Sequence, residues 1–471
     1  MATRHFIHDG ATLVQDALHG LALSNPSIRY DDDIKAIINP RHDGDKQVTL
    51  ISGGGAGHEP SFVGLVGDGL LSAAVSGFIF ASPSVHQIQN TIARVGGSAG
   101  TLLVIMNYTG DVLHFHLAAE KARLAGFNTA VLVVGDDVSV GRQKSGKVGR
   151  RGLAGTVLVE KILGALAQQG MALEELRQAG EEVVNSLATV GAALDHVHLV
   201  GKPADPTDRT DQVEVGMGIH NEPGCYVVKP QPSISDLVDQ MLDKLLDPDD
   251  ADRAYVSFTD TNLCLLVNNL GGVSNIEFSA VTKTVVDRLD RRGLKPIRIY
   301  SGSFMTSLDG KGFSITLLKA SPQMLEALDA PAITPGWSTR PRPDVDEHDL
   351  KTSIERACYK LIAAEAELDR YDSVVDWVQA AGEALQALRQ ATSARAGDRT
   401  IMDALEPFIT ALQAGASAAG AVDAARAGRN STQGMTASFE RAVYVPEEGW
   451  SRVPDPGAAG LVCLLEGLLS P

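Results

Sequence analysis

Ser52-Gly-Gly-Gly-Ala-Gly-His-Glu-Pro60 is the stretch of the sequence that decides the fold. The apolar run Val48-Thr-Leu-Ile-Ser52 leads directly into it, which is typical of a buried strand that ends in a tight loop. Glycine lets a ligand approach the backbone closely, and backbone N–H groups there can hold hydroxyl groups or oxyanions. A glycine-rich turn alone is a weak signal, and a single histidine such as His58 is more often structural than catalytic.

Further apolar runs repeat this pattern along the first two thirds of the chain. Residues 102–106 and 130–134 are predicted strands, and helices are predicted over 152–169 and 173–191. Apolar strands that are separated by helices indicate a buried, largely parallel or mixed sheet.

A second α/β unit is predicted to begin near residue 195. Its elements alternate in the same way as those of the first unit. They are strand 213–217, helix 233–246, strand 263–267, helix 276–292, strand 297–300, a hairpin at Asp309-Gly310 and strand 313–318.

The character of the sequence changes at residue 328. The segment Ala330–Pro343 contains four prolines and predicts an extended linker over 328–346. We therefore predict an α/β domain over 1–327, with subdomains 1–194 and 195–327, and a smaller all-α domain over 347–471. The predicted helices of that domain are 347–368, 372–392, 399–414, 416–428 and 456–469.

Composition restricts the possible partners and the compartment. The formal net charge is −17, which disfavours nucleic acid and anionic membranes as partners. The four cysteines are widely spaced, so neither a disulfide framework nor a zinc site is indicated. Neither a signal peptide nor an apolar span of about 20 residues is present, and we expect a cytoplasmic protein.

Two further motifs follow predicted strands. Asn107-Tyr-Thr-Gly-Asp111 comes at the carboxyl end of strand 102–106, the edge at which open α/β sheets bind ligands. Asp111 could be a general base, although capping of the next helix is the more common role. Gly216-Met-Gly-Ile-His-Asn-Glu-Pro-Gly224 places His220 in a tight loop. That histidine could be an ordinary loop residue, or a nucleophile that adds to a reactive carbonyl.

In this order and at these separations, the three motifs and Gly149-Arg-Arg-Gly-Leu-Ala-Gly-Thr156 resemble the substrate-binding domain of dihydroxyacetone kinases over about residues 3–320. The resemblance implies that His220 bonds covalently to a ketose carbonyl as a hemiaminal. It also implies that His58 and Asp111 carry out acid–base chemistry on the hydroxyl that receives phosphate. The residues expected to contact the substrate are Gly55, Ala56, Gly57, Met106 and Asn107.

The sequence departs from the family's usual pattern within this pocket. Met106 stands where the family usually has a lysine that touches the substrate, so we expect altered affinity or substrate choice. His114 and His116 are also unusual. They are either new pocket groups or, more commonly for such positions, solvated helix residues.

The C-terminal part resembles the helical nucleotide-binding domain of the same kinases, but it is shorter. Asp372 matches one family ligand of magnesium, whereas the family's Gly-Asp-Gly-Asp-Cys-Gly loop is missing after Val375. Mg-ATP is the cofactor expected from the family, yet its binding loops are absent, so no cofactor is certain. Phosphoryl transfer depends on positioning and charge neutralisation, and the loss of these loops should be severe.

Three functions remain from the sequence. The first is ATP-independent carbonyl chemistry of the isomerase, lyase or cyclase type on a small ketone or ketose held by His220. The second is a functional dihydroxyacetone kinase. The third is a non-catalytic ketose sensor or pseudokinase. The resemblance further implies a homodimer that associates through the substrate domains.

Overall fold

The structure, a computed structural model, divides the chain into two compact units. The first takes in residues 1–141 and 150–363, and the second 142–149 and 364–471. The predicted helix 347–368 and Asp372 lie outside the described residues. The structure describes residues 5–7, 10, 12–146, 148–201, 209–258, 262–337, 378, 381–382, 385–386, 389, 394–435 and 454–469.

The first sheet is mixed, with a parallel centre. Its strand order is β1-β2-β4-β3-β5-β6, in which β3 pairs in parallel with β4 and β5, and β5 with β6. Strand β5 is buried along its whole length, as expected for a parallel strand covered on both faces. The strands are β1 (Arg29–Asp31), β2 (Ala36–Ile38), β3 (Thr49–Ala56), β4 (Ala73–Ile79), β5 (Thr101–Met106) and β6 (Thr129–Val134).

The second sheet is mostly antiparallel. Its strand order is β11-β10-β12-β7-β8-β9, and only β10 and β11 pair in parallel. The strands are β7 (Leu187–Ala193), β8 (Val213–Val215), β9 (Tyr226–Val228), β10 (Asn262–Asn269), β11 (Arg298–Gly302) and β12 (Gly312–Ala320).

Two sequence predictions about this sheet are wrong. The predicted helix 173–191 ends at Asn185, and Leu187–Ala193 forms β7 of the second sheet, before the predicted subdomain boundary at 194. This strand is buried on both faces and lacks polar alternation, so its pattern cannot be told from a buried helix. Asp309-Gly310 does not form a two-residue hairpin, because β10 lies between β11 and β12.

Helices cover both sheets of the first unit, and several begin at a clear capping residue. Ser84 forms a capping box with Gln87, and the Ser233 hydroxyl accepts from Asp236 N. The helices up to residue 329 are α1 (Leu13–Ser24), α2 (Val85–Val95), α3 (Thr109–Leu124), α4 (Arg142–Ser145, in the second unit), α5 (Gly155–Gln168), α6 (Leu173–Asn185), α7 (Ile234–Leu246), α8 (Asn275–Arg291) and α9 (Pro322–Asp329), with a short 3-10 helix at Val63–Leu65.

Helix α5 lies within the main core of the first unit. Every residue from Gly155 to Ala167 is buried, and the helix contacts β3 and β5 of one sheet and β7 and β12 of the other. Its apolar side chains share a core with Leu50 and Leu102 of the first sheet and Leu266 of the second. This helix therefore explains why the two sheets share one core.

The described part of the predicted linker, residues 330–337, packs against the first unit instead of forming an open spacer. Ile333 N donates to Asp68 O at 2.9 Å, and Trp337 is buried against Tyr300 and Phe304. Residues 330–337 therefore extend the first unit, because Ala332 and Trp337 bury apolar side chains in a segment whose proline content suggested an open spacer. The boundary between the two domains stays a prediction.

Three described helices of the second unit agree with the helical pattern of the sequence. Residues Ala404 and Ala425 pack with Ala458 and Val462 in a small apolar core. Within the described part of the chain, no helix is both long and apolar enough to cross a membrane. The helices are α10 (Met402–Gln413), α11 (Ala418–Ser431) and α12 (Pro456–Leu469).

Candidate active site

The glycine-rich stretch is shaped by the protein's own neighbouring segments. Strand β3 continues through the glycines to Ala56, beyond the predicted end at Ser52. A Cβ atom on Gly55 would lie 2.7 Å from Ala81 N, so glycine is needed to let that loop approach. Gly57 has φ +105°, and its N–H donates to the Glu59 carboxyl, 3.0 Å from Oε2. The expected role of Gly55, Ala56 and Gly57 in substrate binding stays a prediction.

His58 and His220 are brought together from different parts of the chain. Nε2 of His58 lies 2.9 Å from Nε2 of His220, and His58 Nδ1 lies 2.9 Å from Thr306 O. His58 is fully buried, and burial lowers its pKa to about 3, with His220 adding to the effect. The structure thus joins the two histidines that the sequence singled out, 162 residues apart.

Glu222 holds the other side of the His220 ring. Its Oε1 lies 3.0 Å from His220 Nδ1, and its Oε2 accepts from the His220 backbone N–H at 2.8 Å. Glu222 is buried, whereas the His220 side chain is 20% exposed. A carboxylate at Nδ1 orients the imidazole and fixes which nitrogen faces the pocket.

Aromatic rings surround the histidine pair. Phe80 stacks on His58 with ring centroids 5.1 Å apart, and it meets His220 edge-on at 4.9 Å. Tyr108 also meets the His220 ring edge-on, with centroids 4.7 Å apart. These rings leave few positions for the imidazole of His220, which is the condition for a precisely oriented nucleophile.

Asp111 lies at the carboxyl edge of the first sheet, in the first turn of α3. The helix begins at Thr109 with Tyr108 as its N-cap, so Asp111 is not the capping residue that the sequence suggested. Asp111 is buried, and a carboxylate in the first turn interacts favourably with the helix dipole. Its acid–base role stays a prediction.

Met106 and Asn107 end strand β5 beside the same edge. Met106 is fully buried, and a Cβ atom on Gly152 would lie 2.6 Å from Met106 Cβ. Asn107 Nδ2 donates to Arg150 O at 2.8 Å, which ties this strand end to the loop before α5. Whether either side chain contacts a substrate stays a prediction.

His114 and His116 differ from the solvated histidines that their helical positions suggested. His114 Nδ1 donates to Pro83 O at 2.7 Å, on the loop that carries Phe80. His116 is partly buried, and burial lowers its pKa. His114 therefore anchors a loop of the site.

The metal site implied by the family has no counterpart in the described part of the chain. There, no group of three or more His, Cys, Asp or Glu side chains could hold a metal ion. Asp372, the one matching ligand, lies outside that part. A two-magnesium site needs several carboxylates, and the magnesium site therefore stays a prediction.

Sequence reasoning assigned no role to Glu222 or Thr306. Glu222 stands two residues after His220 in the motif, and a carboxylate so close to a loop histidine is a signal that could have been used. Thr306 meets the His58 ring through its backbone carbonyl, and such a contact depends on the fold rather than on the side chain.

Comparisons with known proteins place the whole chain among its relatives. A family model described as the Dak1 domain matches residues 19–336, and one described as the DAK2 domain matches residues 356–470. The dihydroxyacetone kinase of Komagataella pastoris is 38% identical over 599 residues, which covers 99% of this chain and 98% of the relative. Because this chain has 471 residues, at least 128 of those 599 aligned positions (599 − 471) have no residue of this chain opposite them.

Two solved structures are similar as well. The dihydroxyacetone kinase from C. freundii in complex with AMP-PNP and Mg²⁺ is 29% identical with a TM-score of 0.65, and the match covers 99% of both chains. A dihydroxyacetone kinase operon co-activator is 32% identical with a TM-score of 0.62, covering 67% of this chain and 96% of its own.

Proposed function

The chain belongs to the dihydroxyacetone kinase family, and we propose that it captures a small ketose covalently at His220 and phosphorylates it. The observation that carries this proposal is that the His220 ring contacts Glu222 at one nitrogen and His58 at the other. The kinase reaction has better support from the relatives than the ATP-independent chemistry that the sequence alone favoured.

We propose the positions of the protons from the hydrogen-bond partners of the two rings. Thr306 O can only accept, so His58 Nδ1 carries the hydrogen, and the neutral ring has an acceptor at Nε2. The 2.9 Å contact then needs a hydrogen on Nε2 of His220. Glu222 can accept from Nδ1 of the same ring, so the proposed relay starts with a hydrogen on each nitrogen of His220.

Capture follows from this arrangement in one proton relay. His58 Nε2 takes the Nε2 proton of His220, and the freed lone pair attacks the ketose carbonyl carbon. The proton passes from His58 to the carbonyl oxygen, so the C=O bond becomes C–O–H while the new C–N bond forms. The positive charge stays on His220 beside Glu222, and the pocket keeps its net charge.

Phosphorylation needs a base for the receiving hydroxyl, and we assign this role to Asp111. It is buried and lies three residues after Tyr108, whose ring contacts His220. Magnesium and ATP would supply the phosphoryl group and neutralise its charge. We assign no step to magnesium, because the described residues do not form its site.

ATP-independent carbonyl chemistry is the second candidate. The glycine–aspartate loop that the sequence lacks after Val375 favours it, because this loop is the part expected to hold magnesium against ATP. His220 would still capture the carbonyl, and His58 with Asp111 would shuttle protons in an isomerase, lyase or cyclase reaction.

A non-catalytic ketose sensor is the third candidate, and one relative favours it. The match to the operon co-activator covers 67% of this chain and 96% of the co-activator, which is named for an operon rather than for an enzyme reaction. A homodimer and a cytoplasmic location stay predictions under all three functions.

A coupled assay separates the candidates. Purified chain is mixed with Mg-ATP and dihydroxyacetone, and dihydroxyacetone phosphate is followed by NADH oxidation, beside a family kinase as control. Ketose-dependent release of ADP that is lost in His220→Ala supports the kinase. Adduct without ADP release contradicts it and leaves the other two, which screening for ketose conversion without ATP then separates. Absence of both adduct and turnover rejects ketose capture.

A further inference from the structure

We infer that Arg151 is a positioning residue for ketose capture, because it holds the carboxylate of Glu222 and, through it, the ring of His220. This inference rests on the capture step proposed above. It concerns a residue outside the histidine pair, in the loop that leads into α5.

Arg151 is itself held rigidly. Its guanidinium is buried and forms an ion pair with Asp137, with Nε 2.8 Å and Nη2 2.7 Å from Asp137 Oδ2. Nη2 also donates to Ser139 Oγ at 2.9 Å. Asp137 Oδ1 accepts in turn from Ser139 N at 2.9 Å. A planar guanidinium with several fixed partners has little freedom to move.

The same guanidinium reaches the loop that carries His220. Arg151 Nη2 donates to Gly216 O at 2.7 Å, at the start of this loop. Gly216 N donates to Gly191 O at 2.6 Å, so the loop is tied to strand β7 at the same residue. Arg151 thus fixes the point from which the loop leaves the second sheet.

The Glu222 carboxylate lies next to Arg151 within the loop. A Cβ atom added to Gly218 would overlap Glu222 Oε2, and it would lie 2.7 Å from Arg151 Nη1. Both groups therefore lie against the same side of Gly218. A buried carboxylate needs compensating charge. The His220 ring lies 3.0 Å from Glu222 Oε1, and Arg151 Nη1 lies near the same Gly218 position as Glu222 Oε2.

In the proposed arrangement, Asp137 pairs with Arg151, Arg151 lies near Glu222 at Gly218, and Glu222 contacts His220, with His58 beyond. His220 meets Glu222 at Nδ1 and His58 at Nε2, and the rings of Phe80 and Tyr108 pack against it. Without Arg151, Glu222 loses one of its two positive neighbours. The orientation of the His220 ring, and with it the population that is ready to attack, should then fall.

Two readouts test this inference on the full chain. The first is the adduct equilibrium with [2-¹³C]dihydroxyacetone, whose carbonyl carbon becomes tetrahedral on capture. The second is the ¹H NMR signal of the His220 Nδ1–H in ligand-free protein with ¹⁵N-labelled histidine. The variants are Arg151→Met, Arg151→Lys, Gly218→Ala and Glu222→Gln, alone and combined with Arg151→Met. Arg94→Met, which breaks the ion pair of Arg94 with Asp31 on the first sheet, is the control.

We expect Arg151→Met to lower the adduct equilibrium constant about tenfold or more, Arg151→Lys to recover part of it, and Arg94→Met to match the native chain. The Nδ1–H signal should weaken or shift in Arg151→Met and Gly218→Ala. In the Glu222→Gln background, Arg151→Met should cost about twofold or less, because Arg151 acts through Glu222.

The inference would be overturned if Arg151→Met had the adduct equilibrium constant of the native chain and an unchanged His220 Nδ1–H signal. An equal loss with and without Glu222 would do so too, since Arg151 would then act by another route. Cooperative thermal unfolding shows whether each variant is folded. If Arg151→Met does not fold, the variants Gly218→Ala and Arg151→Lys are used to test the inference in its place. If the native chain forms no adduct, the proposed capture fails, while the Nδ1–H signal still tests Arg151.

Discussion

His58 and His220 contact each other, yet the two regions that carry them hold them in different ways. His58 follows β3 of the largely parallel first sheet and is fully buried, with a backbone carbonyl at Nδ1. His220 lies in a loop of the mostly antiparallel second sheet and is partly exposed, with a carboxylate at Nδ1. A carbonyl partner and burial favour a neutral ring suited to relay a proton, whereas a carboxylate partner favours positive charge on the ring that we propose as the covalent site.

The largest expected effect is the loss of His220. His220→Ala should abolish both the ketose adduct and turnover, because it removes the nitrogen that forms the proposed C–N bond. Mass spectrometry of the intact protein with dihydroxyacetone, and the coupled assay, measure the two losses. His86→Ala, on the exposed face of α2, is the matched control and should behave as the native chain. Full activity in His220→Ala would contradict the proposed role.

His58 should affect rate more than equilibrium. A relay lowers the barrier for adduct formation and breakdown alike, so His58→Asn should slow both by about a hundredfold. The adduct fraction at equilibrium should change only a few-fold. Stopped-flow mixing with ketose gives the rates, and ¹³C NMR gives the equilibrium. A loss of adduct as large as the loss of rate would place His58 in the same role as His220.

The buried carboxyl group of Glu160 should make the free energy of unfolding depend on pH. Glu160 on α5 is fully buried near Ser52 of β3, and burial raises its pKa to about 8. The unfolded chain loses this proton near its ordinary value of 4.5, whereas the folded chain keeps it up to about 8. The free energy of unfolding should therefore fall by a few kcal/mol as pH rises between these values.

Glu160→Gln removes this titration, so its free energy of unfolding should change less between pH 5 and 8 than that of the native chain. Urea unfolding at several pH values measures the difference. Glu175→Gln, on the exposed side of α6, is the control. Equal pH dependence in the native chain and Glu160→Gln would show that the buried carboxyl does not carry the effect.

The smallest effect should come from Phe80. Its ring stacks on His58 and meets His220 edge-on, and such ring contacts contribute about 0.5–1.5 kcal/mol each. Phe80→Leu keeps apolar bulk but removes the stacking, so the adduct equilibrium constant should fall about threefold to tenfold. Phe78→Leu, two residues earlier and largely exposed, should leave the adduct unchanged. A similar loss in both variants would assign the effect to the loop rather than to the ring.

Much of the fold could be predicted because its strands are apolar runs that end in glycine or polar motifs. Helices α5, α7 and α8 lie where the pattern placed them. Strand β7 was missed because a strand buried on both faces has no alternation. The packing of residues 330–337 was missed because proline content says nothing about which surface a segment meets.

The sequence predicted the two histidines of the site, but it did not predict the residues that hold them. His58 and His220 stand in motifs with a family resemblance, and the structure places them 2.9 Å apart. The partners Thr306 and Arg151 depend on how strands and loops come together, and a backbone carbonyl has no sequence signal. Asp372 and most of the predicted helix 372–392 lie outside the described residues, so the magnesium prediction stays a prediction.

The most direct test of the account is ¹³C NMR of the native chain with [2-¹³C]dihydroxyacetone in the absence of ATP. The account predicts a protein-bound tetrahedral carbon signal that is absent from His220→Ala and present in His86→Ala. A native chain that leaves the carbonyl signal unchanged at saturating ketose would contradict covalent capture and, with it, the roles proposed for His58, Glu222 and Arg151.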